Sequence, residues 1–157
     1  MKIVKKVALA LLLVFIAMQF YRPEKNQAQG EHTAKFLTET NPPSDIRAIL
    51  KQTCYDCHSN NTEYPWYNNV APISYWLSDH IKDGKKHLNF SDWETYNIKK
   101  KDHKLEELAE EVEGREMPLK EYTWTHQEAK LTDEQRKAIV AWVQQTRALY
   151  QLNQQPK

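Results

Sequence analysis

The sequence predicts an all-α fold, with one small helical domain behind an apolar N-terminal segment. Apolar residues recur in several stretches at the spacing of an amphipathic helix. Two capping-box patterns, SDWE at 91–94 and TDEQ at 132–135, are typical of helix starts. Only 3 of the 157 residues are glycine, whereas Trp and Tyr are plentiful, which indicates a helical, aromatic-rich domain. The net charge of +1 favours neither nucleic acid nor an acidic substrate as a partner.

The first 22 residues have the pattern of an export segment. Lysines at positions 2, 5 and 6 precede an apolar run over 7–20 that only Gln19 interrupts. The length of this run lies between that of a signal-peptide core and the roughly 20 residues of a spanning helix. A cleaved signal peptide and an uncleaved membrane anchor therefore both stay open. The lysines favour an orientation that places the following chain on the periplasmic side of the cytoplasmic membrane, anchored there or secreted to the periplasm.

Residues 23–42 are polar and show little apolar pattern, so we expect a tether between this segment and the domain. Phe36 and Leu37 are its residues able to pack onto the domain. The domain itself is expected over 43–150, with a short tail at 151–157.

The first helix of the domain is expected to begin at Ser44 or Asp45, after two prolines, and to end near His58. Both cysteines of the chain continue its apolar stripe. The stripe consists of Ile46, Ile49, Leu50, Cys54 and Cys57. A group attached to these thiols would therefore lie on the buried face of the helix.

Residues 54–58 read CYDCH, and a C-x-x-C-H run is typical of covalent attachment of a c-type haem. Helical spacing presents Cys54 and Cys57 on one face, where each thiol adds across one vinyl group of the porphyrin. His58 then supplies its imidazole to the iron. The alternatives are a dithiol redox pair, which is expected in a βαβ context that is missing nearby, and half of a zinc site, for which the remaining ligands are missing. The export segment agrees with haem, because bacteria attach it outside the cytoplasmic membrane.

An aromatic loop, TEYPWY, follows at 62–67. Tyr64, Pro65 and Trp66 are candidates to cover a face or edge of the haem, and packing against the first helix is an equal alternative. The carbonyl of Pro65 or of Pro72 is a candidate acceptor for the imidazole N–H of His58.

Pro72 is expected to open a second helix, and Gly84 is expected to end it. His80 falls on the apolar face of that helix, beside Ile81. Such a histidine is most often a hydrogen-bonded core residue; the alternatives are contact with a haem propionate or ligation of the iron.

A third helix is expected from Asp92 to Gly114, either continuous or broken at 99–102, and Met117 follows it beside Pro118. Met117 is the one methionine outside the export segment, and it stands between helices rather than on an apolar stripe. A thioether suits iron opposite an imidazole, whereas the alternative is a methionine that fills a gap in the core. We expect Met117 to be the distal ligand, with His126 and His80 as its rivals.

The last helix is expected from residue 132 to about 149 and is the clearest amphipathic helix of the chain. We expect it to cross the first helix and to close the domain around the haem. Its apolar face consists of Ala138, Ile139, Trp142, Val143 and Leu149.

Together these motifs resemble a small cytochrome c and, more narrowly, the bacterial haem-binding domain family. The resemblance covers about residues 40–147, and it implies a c-type haem with a redox use. The long aromatic and helical insert between His58 and Met117 departs from an ordinary cytochrome c. The resemblance is carried by CYDCHSN at 54–60, YPWY at 64–67, His80-Ile81, LNFSDW at 88–93, Met117-Pro118, Tyr122 and His126.

Three functions follow as hypotheses. The first is one-electron transfer between envelope redox proteins by a haem that Cys54, Cys57, His58 and Met117 hold, in a protein that contacts the membrane through its N-terminal segment. The second is a haem enzyme or a gas or peroxide sensor with an open distal site. The third is a haem-free dithiol oxidoreductase.

Overall fold

The structure, a computed structural model, describes residues 2–154, and the regular structure in this range is helical. One isolated antiparallel bridge joins Gln27 and Asn61. The predicted all-α class is therefore confirmed for the described chain. The α-helices are α1 (Lys2–Met18), α2 (Ala34–Thr40), α3 (Ser44–Thr53), α4 (Tyr55–His58), α5 (Ile73–His87), α6 (Ile98–Glu113), α7 (Lys120–Thr125) and α8 (Asp133–Gln154), and short 3₁₀ segments lie at Trp66–Asn69, Phe90–Thr95 and Gln127–Ala129.

The N-terminal segment is helical, and α1 buries none of its residues. Just after it, Gln19 exchanges two hydrogen bonds with the backbone of Ala71, at 3.0 and 3.2 Å. Arg22 donates to the carbonyl of Asn69 at 2.7 Å. The end of this segment is thus fixed to the loop before α5. Within residues 2–154 no helix reaches the length and apolarity that crossing a membrane requires.

The core is centred on four aromatic rings that come from distant parts of the chain. The ring of Phe36 lies 4.5 Å from that of Phe90, 5.0 Å from that of Trp93 and 6.1 Å from that of Trp142, measured between centroids. Edge and tilted contacts of this kind are the favourable arrangements for aromatic pairs. Phe36 belongs to α2, in the segment expected to be a tether, so the helical part of that segment packs as a layer of the domain.

The long helices α6 and α8 form the most extensive helix pair, and α8 also contacts α3. The guanidinium of Arg147 in α8 donates hydrogen bonds to two carboxylates of α6, Asp102 at 3.0 Å and Glu106 at 2.7 Å. The predicted capping box at 132–135 is confirmed: Gln135 N–H donates to Thr132 Oγ1 at 3.2 Å, and Thr132 N–H donates to Gln135 Oε1 at 2.9 Å.

The other capping-box pattern does not start an α-helix, and the predicted start at Asp92 is wrong. Residues Phe90–Thr95 form a 3₁₀ segment in which Asn89 accepts a hydrogen bond from Ser91 N–H. The segment is held in this form because Trp93 is completely buried in the core. The helix α6 begins only at Ile98, where Asn97 caps it by accepting from Lys100 N–H at 2.9 Å.

Candidate functional site

The two cysteines lie at a break in the predicted first helix. The helix α3 ends at Thr53, Cys54 follows as a single residue between helices, and α4 is one turn from Tyr55 to His58. The Cys54 carbonyl accepts from His58 N–H at 2.9 Å and from Cys57 N–H at 3.3 Å. Cys54 contacts the core, whereas Cys57 faces a cavity. The expected continuous helix to His58 is therefore wrong, because the chain turns at Cys54.

Both cysteines are free thiols, and both are partly buried. Burial raises the pKa of Cys54 to about 12 and the pKa of Cys57 to about 12, so neither is a thiolate at neutral pH. A redox-active dithiol needs the thiolate form, which a positively charged setting favours. Moreover, no cluster of three or more His, Cys, Asp or Glu side chains within residues 2–154 could hold a metal ion. The dithiol and zinc alternatives thus lose support.

The imidazole of His58 is oriented by the backbone. Its Nδ1 lies 3.0 Å from the Leu88 carbonyl, which can only accept, so Nδ1 carries the proton. Burial is the main cause that lowers the pKa of His58, which keeps the ring neutral. A neutral ring protonated on Nδ1 has its lone pair on Nε2, the form that binds a metal. The acceptor is therefore the Leu88 carbonyl. Pro65 and Pro72, the candidates that the sequence suggested, do not accept this hydrogen bond.

A glycine brings the Leu88 carbonyl to this place. The helix α5 continues past Gly84 to His87, so the predicted helix end at Gly84 is wrong. A Cβ at Gly84 would lie 2.7 Å from the Cys57 carbonyl oxygen and 3.1 Å from Cys57 Cβ. The glycine therefore serves the close approach of α5 to α4.

His58 and Cys57 open onto a cavity of about 490 Å³ between α4, α5, α6 and the loop after α6. Cofactor sites in proteins are commonly about 300–1,000 Å³. A neutral imidazole with a free lone pair, a thioether and a thiol in one such cavity are donors that fit haem. The lining residues are Cys57, His58, Trp76, Asp79, His80, Asp83, Gly84, His87, Leu88, Lys104, Glu107, Leu108, Glu111, Met117 and Leu119.

Four of the predicted site residues meet at this cavity: Cys57, His58, His80 and Met117. Cys54 lies beside it in the chain and is partly buried against the core. His80 is half-buried, and its Nδ1 bonds to the Trp76 carbonyl at 2.9 Å.

The aromatic loop does not reach the cavity. Trp66 is 79% exposed, and the Tyr64 hydroxyl accepts from Asn26 N–H at 2.7 Å. Tyr64 and Pro65 line a separate depression on the other side of α4. His126, one rival for the distal position, also lines that depression, and its ring stacks on Tyr122 at 4.3 Å.

Sequence reasoning missed most of the α5 contribution to the cavity. Trp76, Asp83 and His87 line it together with His80, and their spacing of four, three and four residues is that of one helix face. This spacing was the available signal. It was hidden because this helix face was traced through its apolar residues and His80, so the charged Asp83 and the polar His87 were left out.

Asp56, between the two cysteines, fixes the α4 turn from the side opposite the cavity. Its Oδ2 accepts from the Tyr122 hydroxyl at 2.8 Å, and its Oδ1 accepts from Glu63 N–H at 2.9 Å. Burial and the Asp56 carboxylate raise the pKa of Tyr122 above its ordinary range, so the hydroxyl stays a donor. The turn is thus tied to α7 and to the start of the aromatic loop.

Comparison with known proteins agrees with this geometry. The model of a family described as haem-binding domain matches residues 13–145. A curated protein, the cytochrome c peroxidase Ccp of Escherichia coli (strain K12), is 25% identical over 134 residues. That alignment covers 83% of this chain and 28% of the peroxidase, so the chain spans less than a third of that relative. No solved structure gives a significant match.

Proposed function

The chain belongs to the haem-binding domain family, and from this we propose that it carries a covalently attached c-type haem and transfers single electrons in the bacterial cell envelope. Membership of this family supports haem as the cofactor. The CYDCH run at 54–58 supports covalent attachment, because both thiols and the following histidine are spaced for it. The export pattern of residues 1–22 supports a periplasmic location, where redox proteins of the envelope would be its partners.

In this proposal Cys54 and Cys57 form thioether bonds to the porphyrin, and His58 and Met117 ligate the iron. The bound haem supplies reversible one-electron exchange. The residues of the chain orient it and exclude water: the Leu88 carbonyl fixes the His58 ring, and Trp76, Leu108 and Leu119 give the cavity apolar walls.

One observation carries the proposal most directly. His58, whose Nδ1 proton is committed to Leu88, lines the same cavity as Met117. An imidazole and a thioether on the iron leave it without an open position, which suits electron transfer rather than chemistry on a substrate. A thioether also raises the reduction potential relative to a second histidine.

The first test is covalent attachment in protein matured by a host that attaches c-type haem. After denaturation and electrophoresis the haem should stay on the wild-type chain and should be lost from the double variant Cys54→Ala, Cys57→Ala. Haem that separates from the wild-type chain would contradict covalent attachment while leaving haem binding intact.

The second test is the distal ligand. The reduced wild-type protein should show a sharp low-spin spectrum that carbon monoxide leaves unchanged. Met117→Ala should bind carbon monoxide at once and should have a lower reduction potential, because a ligand that favours ferrous iron is gone. His126→Ala, outside the cavity, is the matched control and should behave as wild type. A Met117→Ala protein with the wild-type spectrum and potential would refute this ligand.

A second candidate function is a haem enzyme or sensor with an open distal position. It is favoured by His80, which lines the same cavity, and by the similarity to a protein named cytochrome c peroxidase. In that case the wild-type protein itself should bind carbon monoxide at once, and His80→Ala should slow its reaction with peroxide. A wild-type spectrum that carbon monoxide does not change excludes this function.

A further inference from the structure

Two guanidinium groups hold the loop that carries Met117 against α8: Arg115 of the loop bonds to Asp133 at 2.6 Å, and Arg136 of α8 bonds to the loop backbone. Arg136, near the start of α8, donates from Nη1 to the Val112 carbonyl at 2.8 Å and to the Met117 carbonyl at 2.9 Å. Val112 is in the last turn of α6, where carbonyls lack intrahelical partners. One side chain therefore connects the end of α6, the loop and α8.

The same loop is also fixed through its N–H groups. Glu116 N–H and Met117 N–H both donate to the Glu111 carbonyl, at 3.0 and 3.1 Å. Between α6 and these residues, Arg115 has a φ of 63°, a left-handed conformation that reverses the chain. Both backbone polar groups of Met117 are thus bonded, the N–H to α6 and the carbonyl to Arg136, while its side chain lines the cavity.

We propose that Arg136 is a positioning residue for Met117, and that it holds the thioether in the cavity that His58 lines. This inference rests on the proposed function, in which Met117 ligates the iron. A planar guanidinium suits the task, because its donors have a fixed geometry. Its charge also lies at the C-terminal end of α6, which the helix dipole favours. Without it, the Met117 carbonyl loses this bond, and the loop is held by its N–H groups and by the exposed Arg115–Asp133 ion pair.

A purely structural role for Arg136 predicts something different. Loss of a structural clamp lowers the free energy of unfolding and leaves the iron ligands unchanged. A positioning role changes ligand occupancy in protein that is still folded. The measurements that separate the two are the thioether-to-iron charge-transfer band of the oxidised protein, the rate at which the reduced protein binds carbon monoxide, and the reduction potential.

The experiment compares Arg136→Gln, Arg136→Lys and Met117→Ala in haem-matured full-length protein. Arg147→Gln is the matched control, because Arg147 is also an arginine of α8 bonded to α6. Its partners are the side chains of Asp102 and Glu106, and it makes no contact with the Met117 loop among the hydrogen bonds of the described chain. Thermal unfolding of every variant records the loss of stability separately.

Arg136→Gln should lose the charge-transfer band, bind carbon monoxide at a rate close to that of Met117→Ala, and shift to a lower potential. Arg136→Lys, which keeps the charge and one donor group, should keep a weakened band, and Arg147→Gln should keep the full band. A full band in Arg136→Gln would overturn the inference. If Arg136→Gln fails to fold, a full band in Arg136→Lys at a lowered Tm overturns it instead. A Met117→Ala protein identical to wild type would show that the ligand assignment fails, and the inference fails with it.

Discussion

Gly84 shows how a missing side chain can orient a histidine, here His58. The close contact of α5 with α4 at this glycine places the Leu88 carbonyl beside His58 Nδ1, and that bond decides which nitrogen holds the lone pair. The orientation and tautomer of His58 are therefore set by two residues, Gly84 and Leu88. Their effect is exerted through the backbone of α5.

Gly84→Ala should destabilise the protein, although alanine is the better helix former. The gain in helix propensity is about 1 kcal/mol, whereas overpacking costs about 1–3 kcal/mol. The new Cβ would lie 2.7 Å from a backbone oxygen, which cannot rotate away, so the clash should prevail. We expect a lower Tm and a smaller yield of covalent haem. Lys82→Ala, on the exposed side of α5, is the control; a Tm that rises in Gly84→Ala would contradict the close-approach argument.

Residue type predicted part of the site and could not predict the rest. Cys57, His58 and Met117 were predicted because sulfur and imidazole are the donors that haem uses, and the structure places all three at one cavity. The Leu88 carbonyl has no signature in the sequence, since every residue carries a carbonyl. Tyr64 and Trp66 were chosen because they follow the motif in the chain, but α4 separates them from the cavity.

At the scale of elements, a partly buried network of ionisable groups joins three helices. Glu39, just inside the end of α2, accepts from Lys101 of α6 at 2.7 and 2.9 Å and from the Tyr150 hydroxyl of α8 at 2.7 Å. Lys101 and Tyr150 are buried, so each would be costly without its partner. The network fixes α2 to the α6–α8 pair. Glu39 is 62 and 111 residues from these two partners in the chain, so no local sequence pattern predicts their contact.

This network predicts a loss of stability at alkaline pH. Burial and the neighbouring Glu39 carboxylate raise the pKa of Tyr150 above its ordinary value near 10. Above pH ~10 the unfolded chain has lost this proton and the folded chain keeps it, so the free energy of unfolding falls as pH rises. In Tyr150→Phe this fall, measured by urea unfolding between pH ~9 and ~11, should be smaller than in wild type. Tyr21→Phe, at an exposed position, should match wild type; an equal slope in Tyr150→Phe would refute the linkage.

Helix boundaries were predictable where a cap is local and failed where packing decides. The start of α8 followed from Thr132 and Gln135, whose side chains complete the capping box within one turn. The SDWE pattern at 91–94 offers the same residue types, yet burial of Trp93 holds a 3₁₀ segment there. The break in the helix at Cys54 likewise has no local signal in the sequence, because Cys54 and Cys57 continue the apolar stripe of α3.

For the whole molecule, the cavity and the aromatic core meet at α6. The cavity uses α4, α5 and α6, and the core behind it uses α2, α6, α8 and the segment Phe90–Thr95. Leu88 and Leu108 belong to both, since each lines the cavity and packs in the core cluster. Stability of the core and shape of the cavity are therefore coupled, and a core substitution should affect both.

Substitution of Phe36 would test this coupling and would test whether α2 belongs to the folded domain. Its side chain is fully buried among Phe90, Trp93 and Trp142, so Phe36→Ala should lower the free energy of unfolding by about 3–5 kcal/mol. That is a large part of the roughly 5–15 kcal/mol that stabilises a typical domain, so less covalent haem should also be recovered.

The matched control is Phe20→Ala, since Phe20 is the same residue type at 86% exposure. Urea unfolding of the two variants beside wild type gives the comparison. If residues 23–42 were only a tether, both substitutions would have the same small effect. A large loss confined to Phe36→Ala would extend the folding unit to include α2, because an aromatic side chain has this energetic weight only inside a packed core.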